Sequence, residues 1–368
     1  MLPPGGRESD IMLVFILALV ILACAAEFVL TKDSLRDVKE DLRPEVNVAE
    51  PGQVFHLIVT LENNGRRYLW FLRFSFFLPE EIQPQDLEHF TPRLDGRGGT
   101  ITCTTWLRPH QTAEFRIPVR IEHRGRYVFR PLTVCGGDFL GIREEKRRYE
   151  RFREVVVAPR ESVEADLSAV MGGFLGDCSV RRFLYEDPIL TAGFREYTGQ
   201  EPMKKISWAQ SARGHGIMVK NNDYTVEPTM TVVLHAAARS GQQADEFESC
   251  LCLARTVCRQ LEDRRIPYDL CTNAAAAGGW YDEDGWPVPR GFGSAHFDRV
   301  LELLGRTTDT AARSDQAMFS FLAGEQTVRG RILITTASGM PEEGYLRRLR
   351  AASDGALLIL TPEGISGK

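Results

Sequence analysis

Between Val54 and Glu62 apolar and polar side chains alternate. Phe55, Leu57, Val59 and Leu61 fall on one face, and His56 and Thr60 on the other. A period of two marks a half-buried strand. Asn63-Asn64-Gly65 follows, and these residues tolerate positive φ, so the pattern predicts a hairpin turn. A second strand is expected over Tyr68 to Leu78, ended by Pro79. Alternation returns at Phe115, Ile117, Val119 and Ile121. Arg124-Gly125 then turns the chain into Tyr127 to Val134, and Val155 to Val157 closes the set before Pro159. Short strands separated by turn signals predict a β-sandwich-like domain over residues 44–158.

The period changes after residue 229. Thr231 to Leu234 is a short apolar strand. From Asp245 to Arg265 the apolar positions Phe247, Leu251, Ala254, Val257, Cys258 and Leu261 share one helix face, and Pro267 ends that pattern. Tyr268 to Thr272 is strand-like, Phe297 to Leu304 helical, Ile332 to Thr335 a strand, Pro341 to Ala352 helical and Ala356 to Leu360 a last strand. Strands alternating with helices predict an α/β domain with a mostly parallel sheet over 229–368. Residues 159–228, with Gly172-Gly173 and Gly176, form a linker segment between the two, and Ala274 to Ala277 a loop.

One stretch has no polar period. Ile11 to Ala26 reads IMLVFILALVILACAA without a charge, and extended past Glu27 to Leu30 it approaches the roughly 20 residues a spanning helix needs. The leader 1–10 carries Arg7 beside Glu8 and Asp10, unlike the net-positive start of a signal peptide, so a transmembrane anchor over 11–30 is expected. Lys32, Arg36, Lys39 and Arg43 follow the segment, which places the bulk of the chain on the cytoplasmic side of the cell membrane.

Composition narrows the function. The 368 residues have a mean hydropathy of -0.21, a formal charge of -5 and a pI near 5.9. That balance argues against a general nucleic-acid binder. The run REEKRRYERFR at 143–153 reads as a solvated face. Eight cysteines form no CxxC pair, and Cys250, Cys252 and Cys258 sit on a helical pattern, where they act as small buried hydrophobes. No HExxH, GxxxxGK[ST] or GxSxG occurs. Gly291-Phe-Gly-Ser-Ala-His296 precedes a helix and reads as a loop with Ser294 as cap, phosphate binding being the sharper alternative. His215 reads as a turn residue, and Cys271 has no histidine at a thiol-enzyme spacing.

Between the two patterned regions lies Gly193 to Arg213, GFREYTGQEPMKKISWAQSAR. Arg195, Tyr197, Glu201, Lys204, Lys205, Ile206, Trp208, Ser211, Ala212 and Arg213 resemble the signature of the bacterial domain-of-unknown-function-58 family. Gln200 stands where that family usually has glycine, with Gly199 one place earlier. Ile206 and Trp208 are expected on one side of an extended segment. Arg195, Arg213, Lys204 and Glu201 would form an ion-pair lattice around them, with arginine stacked on Trp208 or Tyr197. Such a lattice either clamps the two domains or docks an acidic partner; it offers no nucleophile–base pair.

The resemblance implies more. It makes the second domain von Willebrand factor A-like, and such domains often bind a divalent cation through Asp-x-Ser-x-Ser after the first strand. Here His235, Ala237 and Arg239 would stand at those positions, and Thr335, Thr336 and Ser338 supply no charge at the later strand, so a degenerate metal site and no cofactor are expected. Asp245 and Glu246 fit the dipole of their own helix start. The resemblance also implies a MoxR-type AAA+ ATPase as partner. The resulting expectation is a membrane-anchored, non-enzymatic protein-interaction scaffold. An extracytoplasmic cell-envelope binding module and an unrecognised hydrolase are the alternatives.

Overall fold

The computed structural model describes residues 12–22, 35–86, 88, 90–95, 98–137, 144–149, 151–162, 167–182, 191–199, 201–214, 216–222, 229–237, 244–278, 288–324, 330–353 and 356–365. The chain divides into two compact units, Met1–Ala158 and Pro159–Lys368.

The first unit is built from antiparallel sheets. One has four strands in the order β1 (Val38–Pro44), β3 (Val54–Asn63), β8 (Thr112–Ile121) and β5 (Ile82–Pro84). The other runs β11 (Glu144–Arg148), β10 (Thr133–Gly137), β4 (Leu69–Pro79), β7 (Gly98–Leu107) and β6 (Thr91–Asp95). A short mixed sheet joins β2 (Val48–Ala49), β12 (Arg153–Val157) and β9 (Gly125–Phe129). Alternation puts Leu57, Val59 and Leu61 of β3 and Leu72, Phe74 and Phe76 of β4 into one core. The rings of Phe74 and Phe115, from the two large sheets, meet at 5.0 Å.

Asn63-Asn64-Gly65 does not make the expected hairpin. β3 pairs with β1 and β8, whereas β4 belongs to the other sheet, so the chain crosses between layers there. The Asn63 amide enforces the crossing. It donates to Arg67 O and Arg108 O at 2.9 Å each and accepts from Gly65 N at 3.1 Å, and these bonds replace a strand ladder. At the β6–β7 turn Gly98 has φ +141°, and a Cβ there would strike Leu78 O and stand 2.6 Å from the Phe77 ring.

The second unit holds a six-stranded mixed sheet. Its order is β18 (Val288–Gly291), β16 (Tyr268–Thr272), β15 (Met230–Leu234), β20 (Gly330–Ile334), β21 (Leu357–Thr361) and β22 (Gly364–Ile365). Small antiparallel pairs are formed by β13 (Thr191–Glu196) with β14 (Met218–Asn222) and by β17 (Ala274–Ala276) with β19 (Thr307–Ala311). Ala274 to Ala276 is thus a strand and not a loop. The helices are α1 (Leu167–Arg182), α2 (Ala244–Asp263), α3 (Ser294–Arg306), α4 (Asp315–Gly324) and α5 (Glu343–Ala352). The first of these lies inside the segment expected to be a linker.

Arg331 on β20 is fully buried. Its guanidinium donates to Leu322 O at 2.6 Å, Leu349 O at 3.3 Å and Ser353 Oγ at 3.0 Å. Those acceptors lie at the C-terminal ends of α4 and α5, where a cation complements the helix dipoles.

Two expectations are corrected by this architecture. The α/β class with a von Willebrand A-like domain does not stand: strand accounts for 42% of the described residues against 29% helix, and the sheets are largely antiparallel. The six-stranded sheet keeps the expected parallel run in its inner strands β16, β15, β20 and β21 but is antiparallel at both edges, because Gly364–Ile365 returns on Leu357–Thr361 through a tight turn and Val288–Gly291 runs against Tyr268–Thr272. The transmembrane anchor over 11–30 is corrected too. Among the described residues no helix is long and apolar enough to cross a membrane. Of that segment Met12 to Leu22 is helical, and residues 11 and 23–30 lie outside the described residues. A single-pass location at the cell membrane, with the bulk of the chain cytoplasmic, loses its support with it.

Candidate functional site

Two places in the second unit gather functional side chains. The first lies at the carboxyl ends of β15, β16 and β20. His235 follows β15 directly, Asn273 follows β16 and Thr335 follows β20. β15 sits between β16 and β20, so the crossovers leave on opposite sides of it, the position at which open sheets form a crevice.

That crevice is filled by the chain's own side chains. His235 Nδ1 faces Thr335 Oγ1 at 3.0 Å, and Nε2 faces Asp315 Oδ1 at 3.1 Å. With the proton on Nε2, the ring donates to the carboxylate, and Nδ1 shares the Thr335 hydroxyl proton with Gly339 O, 3.3 Å from Thr335 Oγ1. Asn273 locks the arrangement. Its Oδ1 accepts from Ala236 N at 2.7 Å, and its Nδ2 donates to Ala236 O at 2.8 Å and to Asp315 Oδ1 at 3.3 Å. Burial pushes the His235 pKa below its ordinary value, and Asp315 opposes that push.

The sequence of groups resembles nucleophile, base and acid, but the exposures run the wrong way. Thr335 is fully buried and His235 is 1% exposed, whereas Asp315 is the member that reaches solvent. A substrate carbonyl has no approach to Thr335 Oγ1. As arranged, the network holds three strand ends and the start of α4 together.

At the positions compared with a cation site, His235 is buried and Ala237 packs against the loop that ends in Gly339, where a Cβ would come 2.6 Å from Ala237 Cβ. Arg239 lies outside the described residues. Thr336 Oγ1 accepts from Gly339 N at 3.0 Å, and Ser338 Oγ donates to Glu246 Oε2 at 2.9 Å. Asp245 lies in the first turn of α2, as its dipole favours.

The phosphate alternative at Gly291 to His296 meets a carboxylate already in place. Glu262 Oε2 accepts from Gly293 N at 2.7 Å, and Oε1 accepts from Tyr268 Oη at 3.0 Å and faces His296 Nδ1 at 3.2 Å. Gly293, with φ 100°, is the cap, not Ser294. An anion-accepting helix start is therefore filled by α2's own glutamate.

The second place is the signature segment, carried on the β13–β14 pair. Arg195 lies opposite Val219, and its Nη1 meets Glu201 Oε1 at 2.6 Å. Glu201 also accepts from Thr198 N and Oγ1, at 3.1 and 2.8 Å. The Thr198 hydroxyl leads in holding the Glu201 carboxyl down at about 2. Tyr197 N donates to Ile217 O at 2.8 Å. Lys204 and Lys205 lie in a turn of 3₁₀ helix, Met203–Lys205.

Ile206 and Trp208 do not share a side. Ile206 is buried and bridges to Val219, while Ser207 N donates to Met218 O. A helical turn, Trp208–Ser211, then rotates Trp208 outward to 63% exposure. Ser211 Oγ donates to Ser207 O and accepts from Met218 N, both at 2.9 Å, which fixes that turn. Arg213 reaches Gln210 Oε1 at 3.5 Å and so joins the turn, not Glu201. Gln200 and His215 lie outside the described residues.

Sequence reasoning missed Asn273 and Asp315. Asn273 carried a signal, a polar residue at the end of an apolar strand. Asp315 carried none, since 80 residues separate it from His235.

No protein-family model and no curated protein matches the chain. Solved structures resemble about a third of it. A non-cellulosomal cohesin from the archaeon Archaeoglobus fulgidus is 11% identical with a TM-score of 0.23, covering 36% of this chain and 96% of its own. The third ScaC cohesin of Acetivibrio cellulolyticus, in complex with the ScaB dockerin, is 13% identical with a TM-score of 0.24, covering 32% and 99%. AvmM, which catalyses macrocyclization in alchivemycin A biosynthesis, is 11% identical with a TM-score of 0.24, covering 35% and 93%. The ScaC cohesin is a protein-binding module by its own complex; likenesses this distant indicate no particular partner.

Proposed function

We propose that the chain is a non-enzymatic protein-interaction scaffold whose signature segment docks a partner, and that this partner is a MoxR-type AAA+ ATPase that the chain recruits to a client. One observation carries the docking surface. Within Phe194 to Ile217, four large apolar side chains stand in solvent: Phe194, Met203, Trp208 and Ile217. The same segment is fastened from beneath by buried Ile206, Ser207 and Val219. A rigid support under exposed tryptophan and methionine, beside Lys204 and Arg213, is the composition of a binding hot spot. Glu201 is engaged by Arg195 and Thr198, so it does not neutralise those cations. The ATPase itself comes from the family resemblance of the signature.

The test is a binding titration between the purified chain and a purified MoxR-type ATPase, with ATP. Trp208→Ala and Met203→Ala are expected to weaken binding at least tenfold, since truncating a hot-spot anchor costs about 2 kcal/mol or more. Their unfolding midpoints should stay at the wild-type value. Unchanged affinity in the double variant would remove the reading.

A further inference from the structure

A second surface, in the first unit, carries a ligand class of its own. Leu69 pairs with Leu107, and the residues that follow and precede them, Trp70 on β4 and Trp106 on β7, are both exposed. The register shifts between Leu69 and Leu72, and this bulge inserts the extra residue that leaves both Trp70 and Phe71 out of the core, between buried Leu69 and Leu72. Tyr68, two residues before Trp70, stacks on it at 5.1 Å and 16°. Tyr68, Trp70 and Trp106 are 49, 58 and 50% exposed. Guanidiniums flank the rings: Arg108 lies 5.4 Å over Trp106 and Arg73 4.8 Å over Phe71.

The platform continues as a hydroxyl-bearing face. Buried Leu72, Phe74 and Phe76 turn Arg73 and Ser75 outward, and the register sets Thr104 opposite Arg73 and Thr102 opposite Ser75. On the other side of β4, Cys135 lies opposite Arg73 and pairs with Lys146, and Thr133 lies opposite Ser75 and pairs with Arg148. Glu144 stands 3.8 Å from Arg73. Arg73, Lys146 and Arg148 thus line a face of a chain whose net charge is -5.

From this geometry we infer that the outer face of the five-stranded sheet binds an acidic polysaccharide. Exposed ring faces suit the C–H faces of pyranose rings, threonine and serine hydroxyls suit sugar hydroxyls, and guanidinium and ammonium groups suit uronate carboxylates. A single-stranded nucleic acid fits less well. Its bases could take the ring faces, but the Ser75, Thr102 and Thr104 hydroxyls beside them would have no sugar hydroxyls to meet. An acidic peptide would leave the hydroxyl array unused.

The experiment is affinity electrophoresis of the full chain through native gels containing polygalacturonate, alginate or neutral dextran, followed by calorimetric titration with oligogalacturonate. Retardation by the two polyuronates and not by dextran is expected. Trp70→Ala and Trp106→Ala should each raise the dissociation constant at least tenfold, with unfolding midpoints near wild type. Arg108→Gln, a milder change, should raise it severalfold. The inference is overturned by equal retardation in dextran, by undiminished binding in the Trp70→Ala, Trp106→Ala double variant, or by tighter binding to oligo(dT) or polyglutamate than to the uronates. The signature segment plays no part in this assay, so its outcome and that of the ATPase titration are separable.

Discussion

The His235 imidazole and the Asp315 carboxylate meet at 3.1 Å, one fully enclosed at a strand end and the other at the first turn of α4 where solvent begins. The pair is a fastening with one end exposed. His235→Ala removes the buried imidazole and both its bonds, leaving Thr335 Oγ1 only its bond to Gly339 O at 3.3 Å, and should cost about 2 kcal/mol in urea unfolding. Asp315→Ala, at the wet end, should cost less.

The same ring makes stability pH-dependent with a definite sign. The folded pKa of His235 is lowered, first by burial, so the unfolded chain binds the proton more readily. Its contribution is whole above the ordinary value of 6.5 and is lost as pH falls through the folded pKa. Unfolding midpoints of wild type and His235→Asn across that window should converge toward acid. A gap that widens there would contradict the assignment.

Glu262 is surrounded by Gly293 N, Tyr268 Oη and His296 Nδ1. Glu262→Ala should cost about 3 kcal/mol, because a charged acceptor for two donors is lost in a buried place. Glu262→Gln keeps an acceptor for the Gly293 amide and should recover part of that loss. Equal midpoints for the two variants would show that the α3 cap is not held by this carboxyl group.

Thiol labelling gives an independent reading of the second unit. Burial pushes the Cys250 thiol up to about 12 and Cys258 higher still. Ellman's reagent at pH 8 should leave both untouched in the native protein and reach them in denaturant, with peptide mapping to assign the sites.

Gly98 tests the turn between β6 and β7. Gly98→Ala combines a φ of +141° with a collision against Leu78 O, so it should destabilise the first unit by about 2 kcal/mol or more. A neutral substitution would mean that the turn relaxes freely.

Local periodicity located many elements. The alternation beginning at Val54 is β3, the stripe from Phe247 to Leu261 is the inner face of α2, and Tyr268–Thr272 is β16. What the pattern does not carry is partnership. Asn63-Asn64-Gly65 reads as a hairpin because a turn signal says how the chain bends and not which sheet receives the next strand. Trp208 reads as the partner of Ile206 until the helical turn rotates it away. The His235 site shows the limit most plainly: three of its members follow strands, but the fourth is brought in by α4, whose start has no local mark linking it to a histidine.

Arg331 has a consequence for the order in which the second unit assembles. Its guanidinium is enclosed by the ends of α4 and α5, which also bring its acceptors. A state with one helix docked and the other loose encloses the guanidinium with part of its acceptors missing, at a cost of several kcal/mol. The two helices and the strand are thereby bound into one cooperative unit that opens together or not at all, and hydrogen exchange from α4 and α5 should report a single shared opening energy.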